Sequence, residues 1–150
     1  MGLPEADTAL FFLLNKGIQN SFFDSLMPFV TKHAELLFLP FVAAILIKSR
    51  GKAFAALALS LIAVAFADGA GHALKDIFAR QRPCITLENI NLLVGCGGSF
   101  SMPSNHAANT FAFAAVFFLL RKELLSLLLI LVSATIGFSR VYVGVHYPSD

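Results

Sequence analysis

Four stretches of this chain carry too few charges, spaced too irregularly, to present a wet face to water. The first runs from about Ala34 to Lys48, with Glu35 near its outer end and Pro40 inside. The second, Ala53 to Lys75, is interrupted only by Asp68 and His72. The third, Ser104 to Leu120, opens with polar residues, and the fourth, Leu124 to Tyr142, closes with Arg140. A soluble bundle would need polar outer faces of helical period, and none is visible. A spanning helix wants about 20 mostly apolar residues. The uncharged runs alone are shorter, but each extends at one end into a segment of mixed polarity. The pattern predicts four spans in an all-α, polytopic transmembrane helical bundle.

Ahead of these spans, Pro4 to Asn15 and Ser21 to Thr31 read as short amphipathic helices lying in the outer membrane interface. Ala9 to Leu14 is a brief apolar run with Glu5 and Asp7 before it and no basic region, so it is not a signal peptide. No repeat or linker divides the chain. Residues 1–150 form one domain, an interfacial segment over 1–33 and a transmembrane core over 34–150. The chain stops at Asp150, directly after Tyr147, Pro148 and Ser149. Proline suits the first position of a helix, so a further helix is expected to begin here and to lie beyond residue 150.

Composition strengthens this picture. Of 150 residues, 57% are hydrophobic and 13% charged, against roughly 25% charged in soluble globular domains. Sixteen Phe and long Leu/Ala runs exclude a disordered chain. A net charge of +2 with no basic stripe excludes a nucleic-acid partner. Lys48, Arg50 and Lys52 crowd the turn between the first two spans, and Arg121 and Lys122 the turn between the last two. The positive-inside rule puts both turns in the cytoplasm. The loop from about Asp76 to Pro103 and the end of the fourth span then face the extracytoplasmic side.

That side collects the polar residues the chain does keep: Lys75, Arg82, His106, Arg140, His146 and Asp150. Ionisable groups at the ends of apolar helices are functional candidates by default. Several cations and two histidines with one carboxylate suit an oxyanion rich in negative charge, phosphate first among them. Ser104 is a candidate N-cap of the third span, and the free N–H groups of that first turn would face a bound anion.

The spacing is specific. Lys75 is followed after six residues by Arg82-Pro83, then by Pro103-Ser104-Asn105-His106. Ser139-Arg140 precedes His146 by five residues, and three more lead to Asp150. With each residue type near one in twenty, the last block alone should occur in about one random chain in a thousand. In this order the three blocks resemble the signature of the type 2 phosphatidic acid phosphatase superfamily, which includes bacterial membrane lipid phosphatases and the vanadium haloperoxidases. The resemblance covers about Ala53 to Asp150. One departure is Asn105, where the family usually has Gly. Asn is the next most tolerant residue at such a helix entrance, so the departure bears on substrate more than on chemistry.

The resemblance implies a two-step phosphoryl transfer. His146 would be the nucleophile, with Asp150 fixing its tautomer so that the other ring nitrogen attacks. His106 would protonate the leaving lipid oxygen and then activate water. Lys75, Arg82, Ser104, Asn105 and Arg140 would hold the phosphate oxygens. No metal or other cofactor is expected, since the cations neutralise the phosphate and no carboxylate cluster or zinc site is present in the sequence. The expected activity is hydrolysis of a lipid phosphate or diphosphate at the extracytoplasmic face of a bacterial-type plasma membrane. Candidate substrates are polyprenyl diphosphate, phosphatidylglycerol phosphate, phosphatidic acid and lipid A phosphates, with undecaprenyl diphosphate slightly ahead because the chain is small. Two rival readings are a vanadate-dependent haloperoxidase, against which the spans argue, and a non-catalytic anion-binding protein or transporter, against which the His106, His146 and Asp150 set argues.

Other residues are less absorbed by the motifs. Asp68 and His72 share a helix face with Lys75 and are candidates to support the phosphate-holding groups from behind. Arg80 could extend the phosphate site, but a simple interfacial anchor is the reading placed ahead. Phe111, Phe113, Phe117 and Phe118 read as packing or lipid contacts. Cys84 and Cys96 flank the loop between two motif blocks on the side where disulfides persist. Their pairing, worth about 3 kcal/mol, would hold Arg82 and Ser104 at a constant separation.

Overall fold

The computed structural model describes residues 2–48 and 50–150, and all of its regular structure is helical. The elements are α1 (Leu3–Phe12), continued by a wider π-helical turn (Leu13–Gly17), α2 (Ser21–Lys32), α3 (Ala34–Lys48), α4 (Arg50–Phe78), the short α5 (Pro83–Thr86), α6 (Asn105–Arg121) and α7 (Leu124–Tyr142). The expected turn between the first two spans falls on Ser49, which lies outside the described residues. So do the side chains of Arg50 and Lys52.

The four predicted spans correspond to α3, α4, α6 and α7, but not all have the length of a span. Ala53–Thr86 and Leu124–Tyr142 are each long and apolar enough to cross a membrane, with mean hydropathy 2.0 in both. α2 and α3 together reach that length as a pair bent by 71°. α6 has only 17 residues, and its first turns carry the polar Asn105, His106, Asn109 and Thr110. Among the described residues, length and composition thus give two helices able to span a membrane, and a third if the bent pair is one span.

In a lipid environment apolar contact alone drives little helix association, so close backbone approach and interhelical hydrogen bonds must contribute. Both are present. α4 packs most extensively on α6, and α6 on α7. Ala53, Ala56 and Ala114 are fully buried. Across these interfaces, Ser60 Oγ donates to the Phe113 carbonyl at 3.1 Å and Ser133 Oγ to the Thr110 carbonyl at 2.9 Å. At the cationic end, Glu123 accepts from Arg121 and lies 3.9 Å from Lys48 Nζ. The two basic turns expected on one side therefore meet at the same end of the bundle.

The N-terminal helices are bound to the far end of α7. Asn15, fully buried, donates to the carbonyls of Tyr142 (2.7 Å) and Asn91 (2.8 Å). The Tyr142 hydroxyl donates to Asp24 at 2.9 Å, and Phe11 meets Tyr147 at 5.7 Å between ring centroids. After α7, Gly144 turns the chain at φ +88, where any Cβ would stand 2.9 Å from the Asn91 carbonyl. A side chain there would push the following segment, and with it His146, off the bundle.

The entrance of α6 rests on Gly71 of α4, where an added Cβ would meet Asn105 Oδ1 at 2.8 Å. Asn105 is also held by Asp68, which accepts from its Nδ2 at 3.0 Å. Gly71→Ala is expected to lower stability by about 1–3 kcal/mol through overpacking, and Asn105→Gly in the same chain to restore most of it. Thermal unfolding of the two single variants and the double in detergent checks this compensation.

Candidate active site

Three helix ends and two loops converge at the end of the bundle opposite Glu123. α4 delivers Lys75, the segment behind it Arg82, and the entrance of α6 Ser104, Asn105 and His106. α7 delivers Arg140, and the turn at Gly144 brings back His146 and Asp150. Lys75, Arg82, Ser104 and His146 are all buried.

The pair at the centre is His146 and Asp150, with 3% and 1% of their side chains exposed and Nδ1 3.1 Å from Oδ2. On its other side, His146 Nε2 lies 3.1 Å from Arg82 Nη1. A guanidinium can only donate, so Nε2 must be the acceptor. The ring is then neutral, carries its proton on Nδ1 and gives it to Asp150. Burial, with Arg82 and Arg140 as the nearby cations, outweighs the carboxylate and lowers the His146 pKa to about 4. Burial alone would raise the Asp150 pKa, but donation from His146, Ser101 and the Tyr147 N–H outweighs it, and the net shift is downward.

Asp150 is held from several directions. Oδ2 accepts from Ser101 Oγ and from the Tyr147 N–H at 2.8 Å. Oδ1 accepts from Arg80 Nη1 at 2.8 Å. Its own carbonyl accepts from the Ser104 N–H at 3.0 Å, joining the third motif block to the second.

The cations are fixed mostly by main-chain carbonyls. Lys75 Nζ donates to Pro103 (2.5 Å), Phe100 (2.9 Å) and Ser101 (3.4 Å), so it clamps the strap that carries Ser104. All of its donors are engaged there, and toward an anion it contributes charge. Arg82 donates from Nε to Ser99 (2.7 Å) and from Nη1 to Val145 (3.0 Å). Arg140 Nη1 donates to Thr31 of α2 at 2.6 Å. Among the described residues, two buried potential donors here have no partner, Ser104 Oγ and Arg140 Nε, and the acceptor Asn105 Oδ1 has none either. Ser104 does occupy the N-cap position of α6, yet its hydroxyl makes no cap bond. Buried orphans of this kind call for an explanation, and an oxyanion ligand supplies one.

His106 is exposed on the first turn of α6, within electrostatic reach of Arg140, Arg82, Glu35 and Lys75. It opens onto an apolar cavity of about 690 Å³ between α3, α4 and α6, with Phe38, Val42, Leu57 and Phe113 among its lining residues. Cys84 and Cys96 are disulfide-bonded, 6.0 Å apart at Cα, in the loop between Arg82 and Ser104.

Asp68 stands behind Asn105, one of the expected phosphate-holding residues, and neither Asp68 nor His72 touches the cationic cluster. Asp68 instead accepts from Asn105 and Asn109 (2.9 Å), and His72 is largely exposed at 3.6 Å from it. Arg80 is no interfacial anchor, since it bridges Asp7 and Asp150 and lies over the Tyr147 ring at 3.9 Å. Ser101, Thr31 and Asp7 were not legible as site residues. They have no motif spacing and lie up to 142 positions from the groups they contact.

These features define an integral-membrane helical protein with a carboxylate-held histidine in a buried cationic pocket. The chain belongs to the PAP2 superfamily, whose family model matches residues 53–150. It is 33% identical to the lipid A 4'-phosphatase of Bacteroides thetaiotaomicron over 99% of its own length and 70% of that protein. It is 30% identical to the undecaprenyl-diphosphatase of Sulfolobus acidocaldarius over 94% of its length and 68% of that protein. Its fold matches the crystal structure of Aquifex aeolicus LpxE with a TM-score of 0.72 and 26% identity, covering 95% of this chain and 84% of that one.

The titrations set a pH dependence. His146 has a folded pKa of about 4 against an ordinary 6.5, so the folded state binds its proton less readily than the unfolded chain. Its contribution to stability is complete above 6.5 and is lost as pH falls from there toward 4. Asp150 acts in the same sense at lower pH, below its ordinary 3.8. The thermal midpoint is expected to fall as pH drops through 6.5 to 4, and His146→Gln to flatten that segment of the curve.

Proposed function

We propose that this protein is a membrane phosphatase that hydrolyses a lipid phosphate through a phosphohistidine on His146. One observation carries the reading: the neutral His146 donates from Nδ1 to Asp150 and keeps its Nε2 lone pair aimed at the cationic pocket. An anion-binding site has no need of an oriented lone pair, and a nucleophile does. As phosphate enters, Arg82 transfers its Nη1 donor from Nε2 to a phosphate oxygen. Ser104 Oγ and Arg140 Nε gain the partners they lack, and Lys75 adds its charge. Nε2 attacks phosphorus, the lipid oxygen leaves with a proton from His106, and Asp150 stabilises the imidazolium-like ring. His106 then takes a proton from water, which attacks the phosphohistidine and releases phosphate. The cations perform the neutralisation, and no metal enters the reaction.

The apolar cavity beside His106, between α3, α4 and α6, supports a binding mode with the lipid chains on the leaving-group side. Within the lipid class, the likenesses to the lipid A 4'-phosphatase and to the undecaprenyl-diphosphatase both extend over nearly the whole chain and support a glycolipid phosphate and a polyprenyl diphosphate alike. The basic turns near Lys48 and Arg121 face the cytoplasm in this reading, and the site opens on the outer face of the plasma membrane.

Phosphate release from detergent-solubilised lipid A, undecaprenyl diphosphate, phosphatidylglycerol phosphate and phosphatidic acid tests the function and ranks the substrates. His146→Ala is expected to abolish turnover. His106→Ala should slow leaving-group departure by about 10²–10⁴-fold. Acid-labile, base-stable label on the wild type and none on His146→Ala is the expected result; label surviving loss of His146 would rule out the nucleophile. Chelation with EDTA should leave the rate unchanged.

A further inference from the structure

Behind the His146–Asp150 pair lies a second layer that no motif block contains. Arg80 Nη1 donates to Asp150 Oδ1 at 2.8 Å, and its Nη2 donates to Asp7 Oδ2 at 2.5 Å. Asp7, on α1, also accepts from the Ser149 N–H at 3.0 Å and from Ser149 Oγ at 2.6 Å. Arg80 Nη1 donates to that same hydroxyl at 2.8 Å. The Tyr147 ring covers the guanidinium at 3.9 Å, and Phe11 of α1 packs on that ring. Side chains of Asp7 and Arg80 are 10% and 25% exposed, so this is not a loose surface pair.

From this arrangement we infer that Asp7 and Arg80 are positioning residues for the catalytic carboxylate, and that the N-terminal helix is thereby a working part of the active site. The inference rests on the function proposed above. A carboxylate has two oxygens that can exchange by rotation about its bond to the chain. Arg80 occupies Oδ1, which leaves Oδ2 for the His146 Nδ1–H. Asp7 in turn prevents Arg80 from swinging away, and it ties down Ser149, the residue before Asp150. Two carboxylates around one guanidinium also keep the cluster one charge short of neutral, and the adjoining cations Arg82, Lys75 and Arg140 offset that charge. Neither Asp7 nor Arg80 reaches the phosphate pocket, so both act through Asp150 and the orientation of the His146 ring.

Steady-state kinetics on the preferred lipid, together with NMR of the His146 Nδ1–H proton in histidine-labelled protein, tests this. Asp7→Asn and Arg80→Gln should lower kcat by about ten- to hundredfold, the scale of a displaced catalytic group, with KM within about twofold. Arg80→Lys should recover part of the loss. The double variant should be no slower than Arg80→Gln alone, because the two residues form one chain of support. The downfield Nδ1–H signal present in the wild type should shift or broaden in Asp7→Asn and Arg80→Gln. An unmoved signal with wild-type kcat overturns the inference, as does a strictly additive double variant or a loss confined to KM. The resonance is read without substrate. If the wild type released phosphate from no lipid, the proposed function would fall while the NMR comparison still decided the role of Asp7 and Arg80.

Discussion

A carboxylate with 1% of its side chain exposed stays ionised only where donors replace the water it has lost. Asp150 is supplied by His146, Ser101, the Tyr147 N–H and Arg80, from three separate parts of the chain. The rest of the site depends on that charge. With it, the His146 ring is neutral and locked in one tautomer; without it, the ring would lose both its orientation and its counter-charge. The clustered cations, in turn, would be costly to gather at the end of an apolar bundle without an anion nearby.

The fold meets this constraint by separating two tasks. The interior of the bundle is held by small residues and a few interhelical hydrogen bonds, which demand little of the sequence beyond Ala, Ser and Gly at the crossings. The charged end is held by main-chain carbonyls. Lys75 and Arg82 spend most of their donors on residues 99–103 and Val145. They are therefore held in place by the fold itself, and under the proposed function the donors left without partners are the ones that receive the substrate's oxygens. Preorganisation of this kind avoids reorganisation during the reaction.

The same logic accounts for Asn105. Its amide donates to Asp68 and packs on Gly71, so a side chain at a position the family usually leaves bare is absorbed by the facing helix. Asp68, a costly residue at that depth, is explained by the two amides it accepts from rather than by direct contact with the pocket.

Much of the protein was determined by sequence alone. Apolar runs located the bundle helices, because a chain in lipid must satisfy its backbone within each segment. Motif spacing singled out Lys75, Arg82, Ser104, Arg140, His146 and Asp150 as candidates, and the docking of α4, α6 and α7 brings them to one end of the bundle. The family followed from the same spacing. Tertiary structure decided the rest. Arg80 looked like any arginine near a helix end until folding set Asp7 and Asp150 on either side of it. Ser101, Thr31 and Asn15 became supports only through partners 45 to 127 residues away. Contacts of that range leave no period in the chain, since they arise from how whole helices dock and not from the order of residues along any one of them.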